Sequence, residues 1–226
     1  MTTKEKLLAL LEDSKGTFFS GEEIARTLQV SRAAVWKAVN ALREDGYTID
    51  AATNKGYRLS PDSDILSPQG IRRFLKPEYR DLDLTVLPTA PSTNALVREK
   101  ANQGRPEGCV IVACEQTDGR GRYGRQFFSP IDSGVYLSLL LRPTAYSPQQ
   151  ATCLTAAAAA AMCQAIEAVT GQQPGIKWVN DIFLHGKKVC GILTEAAVGL
   201  ETGALDYMVL GAGVNLYPVS YTHLTL

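Results

Sequence analysis

The residues best able to do chemistry in this 226-residue chain fall in four short segments. In Gly119-Arg120-Gly121-Arg122-Tyr123-Gly124-Arg125, arginines alternate with glycines. Glycine lets a backbone come close to a ligand, and guanidinium forks and backbone N–H groups both match phosphate oxygens. The segment follows an apolar strand, Cys109 to Cys114. It has no Gly-Lys-Ser/Thr of a Walker loop, and no helix opens there as in a dinucleotide fingerprint. A small-molecule phosphate site is one reading. A flexible Arg/Gly loop that binds RNA, or nothing, is the other.

Lys177-Trp178-Val179-Asn180-Asp181 ends a strand with an amide and a carboxylate side by side. Such a pair forms turns, and it also suits a Mg²⁺–phosphate site, where one carboxylate joins substrate oxygens. Gly186-Lys187-Lys188 reads as a hairpin tip, with Lys188 preceding a strand through Val189, Ile192 and Glu195. An ammonium held there could neutralise a carboxylate or a transferring phosphoryl group, or simply be a surface lysine. Gly211-Ala212-Gly213-Val214-Asn215 closes a strand with small residues, as where a backbone passes near a ligand.

The first 60 residues have a different texture. Ser20-Gly21-Glu22-Glu23 predicts a capped helix start with Glu23 able to complete a capping box, and Ile24, Ala25 and Leu28 turn inward. Gln29-Val30-Ser31 is a tight turn, and Ser31 caps a second helix from Arg32 to about Arg43. Two short helices joined this way fit helix-turn-helix geometry. Tyr47 to Ile49 and Gly56 to Leu59 predict a hairpin, a candidate wing. Ser31, Arg32, Trp36, Lys37 and Asn40, with Lys55 and Arg58 of the hairpin, are the candidate DNA contacts. Arg and Asn suit base edges and Lys suits phosphates. A three-helix protein-interaction module with solvated charges is the alternative.

Other elements must hold these segments in place. Leu84 to Leu87, Cys109 to Cys114, Val135 to Leu141, Ile176 to Val179, Val189 to Glu195 and Tyr207 to Val214 predict strands. Ser92 to Asn102 predicts a helix capped by Ser92 or Thr93, and an Ala-rich helix runs from Pro148 to about Val169. Interleaved strands and helices predict an α+β chain whose second part is built on one mixed sheet. Ser60-Pro61-Asp62-Ser63-Asp64 marks the joint. The expected division is a winged helix over 1–60, a linker over 61–66 and a catalytic domain over 67–226. The composition, 23 basic against 23 acidic residues with 45% hydrophobic, excludes a generally basic nucleic-acid coat and an acidic disordered tail. Nucleic-acid contact therefore has to be local. Met1 to Leu11 lacks a small-residue cleavage site and is not a secretory signal. The apolar stretch Ala151 to Val169 is mostly alanine and predicts a core helix rather than a membrane span. Five cysteines without Cys-x-x-Cys, and two histidines apart from them, argue against structural zinc or a disulfide framework and for the cytoplasm.

The four segments in this order, behind a winged helix, resemble the bifunctional biotin–protein ligases that double as biotin operon repressors, over roughly residues 4 to 217. The resemblance implies a catalytic domain of the biotin/lipoate ligase type. It implies activation of biotin by ATP to biotinyl-5′-AMP, transfer of biotin to a lysine of a biotin carboxyl carrier domain, and repression of biotin genes by the adenylate-bound form on operator DNA. Arg120, Arg122 and Lys188 match the family's catalytic residues. Ser92, Thr93, Asn94, Gln116, Gly119, Gly121 and Gly191, with those three, match the biotin site. Arg122, Phe127, Asn180, Asp181 and Asn215 match the ATP site, with Asp181 toward Mg²⁺. A homodimer of the adenylate-bound form is also implied. Pro91, Val179 and Phe127 depart from the family's usual acidic residue, proline and tryptophan. Phenylalanine keeps a stacking face for adenine with less area. The family continues past Asn215 into a small SH3-like barrel, and Val219 to Leu226 does not match that continuation, so the catalytic domain is expected to be incomplete. A lipoate ligase, or a ligand-sensing repressor without ligase activity, are the rival readings.

Overall fold

The computed structural model describes residues 1–143, 150–199 and 204–217. The helix start expected at Pro148 and the tail Val219 to Leu226 lie outside them. The chain divides into two compact units, Met1–Asp81 and Leu82–Leu226.

In the first unit, α1 (Thr3–Asp13), α2 (Gly21–Leu28) and α3 (Arg32–Glu44) precede an antiparallel hairpin of β1 (Ile49–Ala52) and β2 (Gly56–Leu59). Ser20 caps α2 by accepting the Glu23 N–H at 3.1 Å, and Ser31 caps α3 by accepting the Ala34 N–H at 3.2 Å. The reciprocal capping box forms at Thr2 and Glu5 of α1. Gln29 ends α2 in the left-handed region (φ 55°), which makes the helix–helix turn tight. The apolar stripes meet in one core of Leu7, Leu11, Ile24, Val35, Val39, Leu42 and Leu59. Gly56 is required where it stands. Its φ is +94°, and a side chain there would run into the backbone of Phe19, which pairs with Tyr57 in an isolated bridge.

The unit extends past the expected 61–66 linker. Ile65 packs on the first core, and α4 (Pro68–Arg72), capped by Ser67, packs on α1. Arg73 faces the buried Glu12 carboxylate at 3.7 Å. That ion pair and the packing of α4 on α1 tie 67–81 to the first unit.

The second unit is a seven-stranded mixed sheet in the order β3-β4-β5-β9-β8-β7-β6 among the described residues. Its strands are β3 (Asp83–Leu87), β4 (Cys109–Ala113), β5 (Gly134–Leu141), β6 (Gly175–Lys177), β7 (Asp181–Leu184), β8 (Lys187–Val198) and β9 (Leu205–Asn215). β3 and β4 are parallel and the other pairs antiparallel. Two helices, α5 (Thr93–Asn102) and α6 (Ala151–Thr170), cover opposite faces, as the two-residue period of the strands requires. On β9, Val209 packs with Val97 and Ala101 of α5, whereas Ala212 packs with Ala159 of α6. By length and composition α6 is long and apolar enough to cross a membrane, but Ala158, Ala159, Met162 and Ile166 lie against the sheet.

Two sequence expectations are corrected. The run Ile176 to Val179 is not one strand: β6 stops at Lys177, Trp178 to Asn180 turn, and Asp181 opens β7. The peptide between Trp178 and Val179 is cis. Lys188 lies inside β8, paired with Phe183 next to a register shift, rather than on a loop before the strand.

Candidate functional site

The α5 face of the sheet carries a cleft. Four loops and strand segments that are distant in sequence line it, and each is brought there by a backbone device. Ser92 caps α5 and places Thr93 and Asn94 in its first turn, all three buried. Gln116 bridges Ala90 on one side and Ser129 on the other as isolated β pairs, which turns its amide toward Thr93. Gln116 Oε1 accepts the Thr93 N–H at 2.8 Å, and Gln116 Nε2 donates to Ser129 Oγ at 3.1 Å.

The Gly119–Arg125 loop folds back on itself. Arg120 pairs with Gln126, and the Gly121 N–H donates to the Arg125 carbonyl at 2.7 Å. A single 3-10 turn, Arg122–Gly124, forms its tip, with Tyr123 exposed. Arg122 is drawn across to the β6–β7 turn, where Nη1 donates to Asn180 Oδ1 at 2.8 Å, while its guanidinium lies over the Tyr123 ring at 5.1 Å. Asn180 Nδ2 in turn donates to Asp181 Oδ1 at 2.9 Å. Lys188 Nζ reaches the same Asp181 oxygen at 2.8 Å. One end of the cleft thus holds two cations resting on the oxygens of one turn. Arg120 faces the cleft from the loop and pairs with Asp118 at 2.9 Å.

Phe127 follows the loop and lays its ring over Gly191 of β8 and Gly213 of β9, which are paired across the strands. A methyl group on Gly213 would run into that ring, so the two glycines form the slot that seats it. Its edge meets Tyr136 at 6.3 Å in a T-shaped contact. Burial pushes the Tyr136 phenol up, offset in part by its bond to Ser133. Beside Gly191, burial pushes the Cys190 thiol up to about 12, so it stays a neutral core group and not a nucleophile.

Of the residues picked out from sequence, Ser92, Thr93, Asn94, Gln116, Arg120, Gly121, Arg122, Phe127, Asn180, Asp181, Lys188 and Gly191 line this cleft. Gly119 and Asn215 do not. Gly119 is buried beneath the loop, where a side chain would run into the Phe127 carbonyl. Asn215 is buried at the end of β9, paired with Gly134.

In the first unit, Arg32 and Trp36 of α3 border a groove completed by β1, Asn54 and Tyr57. Trp36 is 58% exposed, and Ser31, Arg32 and Lys37 are exposed with it. Lys55 is exposed on the hairpin turn. Arg58 is engaged within the unit, bonded to Asp50 at 2.8 Å and stacked 4.7 Å from the Phe18 ring centre.

Residues 86–215 match the biotin/lipoate A/B protein ligase family. The chain belongs to that family. Residues 3–58 match a helix-turn-helix domain. The bifunctional ligase/repressor BirA of Bacillus spizizenii is 41% identical over 95% of this chain, and that of Escherichia coli is 33% identical over 95%. The chain spans 65% and 64% of the length of these relatives. Among solved structures, the biotin acetyl coenzyme A carboxylase synthetase of Helicobacter pylori with bound biotinylated ATP is similar at a TM-score of 0.50 and 25% identity, over 65% of this chain and 66% of that one.

Around the cleft lie side chains that sequence reading missed. Ser129 accepts from Gln116, and the fully buried Ser138 of β5 joins Thr93 and Asn94. Glu195 of β8 accepts from Asn94 Nδ2 at 2.7 Å. A serine in an apolar strand, Leu137-Ser138-Leu139, was the available signal for one of them.

Proposed function

We propose that this chain activates biotin with ATP, transfers it to a lysine of a biotin carboxyl carrier domain, and binds operator DNA as a biotin-responsive repressor. The observation that carries this is one cleft lined by Arg120, by Arg122 and Lys188 on the Asn180–Asp181 turn, and by the polar Thr93–Gln116 pair. A biotin carboxylate oxygen attacks the α-phosphorus of ATP, the bond to the β-phosphate oxygen breaks, and pyrophosphate leaves. The acceptor lysine amine then attacks the carbonyl of the mixed anhydride, AMP leaves, and the amine proton goes to solvent. Joining two anions is the physical difficulty. Lys188 and Arg122, now resting on Asp181 and Asn180, offset that repulsion by exchanging those oxygens for phosphoryl ones.

Asp181 is the one carboxylate among the described residues that line the cleft. One carboxylate would fit a Mg²⁺ ion that arrives with the substrate phosphates, and the ion would supply charge neutralisation there. Phe127 offers a face for adenine. The glycine-rich loop shields the adenylate from water. Ser31, Arg32, Trp36, Lys37, Asn40 and Lys55 contact DNA, while Arg58 holds the hairpin through Asp50. The relatives' bifunctional names support a cytoplasmic protein, and a homodimer of the adenylate-bound form would place two winged helices on a palindrome.

Pyrophosphate–ATP exchange tests the ligase half. Exchange is expected with biotin, and lipoate should neither replace biotin nor compete with it. Exchange with lipoate alone would move the substrate, and a folded sample without exchange would leave only the repressor. Gel shifts with operator DNA, with and without biotin and ATP, test the other half. A shift is expected when both are present, and none under either condition would remove repression.

A further inference from the structure

The polar head of the cleft is one chain of hydrogen bonds, and its protons can be counted. Gln116 is fixed at one end, because its Oε1 faces the Thr93 backbone N–H at 2.8 Å and only an oxygen accepts there. Its Nε2 donates to Ser129 Oγ, whose own proton goes to the Phe127 carbonyl at 3.0 Å. Asn94 is fixed at the other end. Its nitrogen meets two acceptors, Glu195 Oε2 at 2.7 Å and the Leu193 carbonyl at 3.3 Å, so Oδ1 must face Ser138, 2.6 Å away. Arg98 holds the second Glu195 oxygen at 3.2 Å. Gly211, paired with Ser138 across β5 and β9, has no side chain to keep Asn94 Oδ1 out of this position.

An amide oxygen brings no proton, so the Ser138 hydroxyl proton is committed to Asn94. Thr93 Oγ1 then stands between Ser138 Oγ at 2.8 Å and Gln116 Oε1 at 3.1 Å with a single proton of its own. Whichever neighbour takes it, the other oxygen–oxygen contact has none. Two hydroxyl protons thus serve three oxygen–oxygen contacts, and the head of the cleft is one proton short of filling them.

We propose that Glu195 is a positioning residue: acting through Asn94 and Ser138, it fixes the direction of this chain so that Thr93 and Gln116 accept an N–H from the ligand. The inference rests on the biotin reading above, and the N–H is then one of the two in the ureido ring. A carboxylate is acceptor-only, so at 2.7 Å it enforces the direction more strongly than the Leu193 carbonyl at 3.3 Å. A glutamine that gives its oxygen to Arg98 turns its Nε2 donor toward Asn94, and only the longer Leu193 contact would still favour that direction. Removing the Ser138 hydroxyl lets the Thr93 proton pair with Gln116, so the shortage leaves the ligand-facing pair and moves to Asn94 Oδ1.

Calorimetric titration of the full chain, Glu195→Gln and Ser138→Ala with biotin and with its two cyclic-carbamate analogues tests this. In each analogue one ureido N–H is replaced by oxygen. The unsubstituted chain is expected to bind one analogue at least about tenfold more weakly than biotin, the loss of one hydrogen bond. Both variants should lose about tenfold for biotin and less than about threefold for that analogue, so the preference collapses. Parallel weakening of biotin and analogue, or an unchanged preference in folded variants, would mean that Glu195 only ties α5 to β8. Failure of the unsubstituted chain to bind biotin at all would overturn the biotin reading itself.

Discussion

Lys188 and Arg122 reach the same turn, one from inside β8 and one from a loop 66 positions earlier in the chain. Asp181 and Asn180 hold them in place, so the fold's own side chains build the cationic end. Lys188→Ala removes the ammonium and leaves Asp181 alone beside incoming phosphates. Biotin-dependent exchange should then fall about 10²–10³-fold, the usual effect of deleting one preorganised donor to a transition state. A change of less than about threefold would mean that Lys188 is only Asp181's partner. Residues of this kind were legible in sequence because they sit in contiguous strings, Gly-Arg-Gly-Arg and Lys-Trp-Val-Asn-Asp. Glu195, Ser138 and Ser129 were not. Each is an isolated polar residue whose role depends on a partner 13 to 101 positions away.

Elements were legible where apolar runs were unbroken. β4, β5 and β9 lie within a residue or two of their expected bounds, and Ser92 caps α5 as expected. The failures came where a turn is built from residues that also suit strands. Trp178-Val179 reads as strand by composition, yet Trp178 is 79% exposed and the chain reverses there. The β8–β9 ladder shows what holds the floor of the site together. Gly191 and Gly213 seat Phe127 on one face, while Cys190 and Ile192 pack under α6 on the other. Cys190 makes this packing sensitive to alkali. Its thiol is raised from 9.0 to about 12 by burial, so between those values the unfolded chain loses a proton that the folded one keeps. Its contribution is complete below pH 9 and declines as the pH rises toward 12. Urea unfolding at pH 8 and 10.5 should show a smaller loss of stability in Cys190→Ala than in the unsubstituted protein. Equal losses would show that Cys190 does not set the alkaline limit.

At the scale of the molecule, the two textures of the sequence correspond to two compact units, but the boundary does not fall at the Ser-Pro-Asp joint. Residues 67–81 carry few large apolar side chains, so their attachment through Arg73 and the buried Glu12 had no periodic signal to announce it. Balanced net charge proved compatible with local cationic chemistry. Arg120, Arg122 and Lys188 line the cleft, and Arg32 borders the α3 groove, within a chain of 23 basic and 23 acidic residues. One measurement bears most directly on the claim that this cleft joins biotin to AMP. The folded full chain is incubated with biotin, ATP and Mg²⁺, separated from free ligand, and analysed by mass spectrometry for protein-bound biotinyl-5′-AMP. The adenylate is expected when both substrates are present and not when either is omitted. Folded protein that carries biotin and ATP but never the adenylate would contradict the claim.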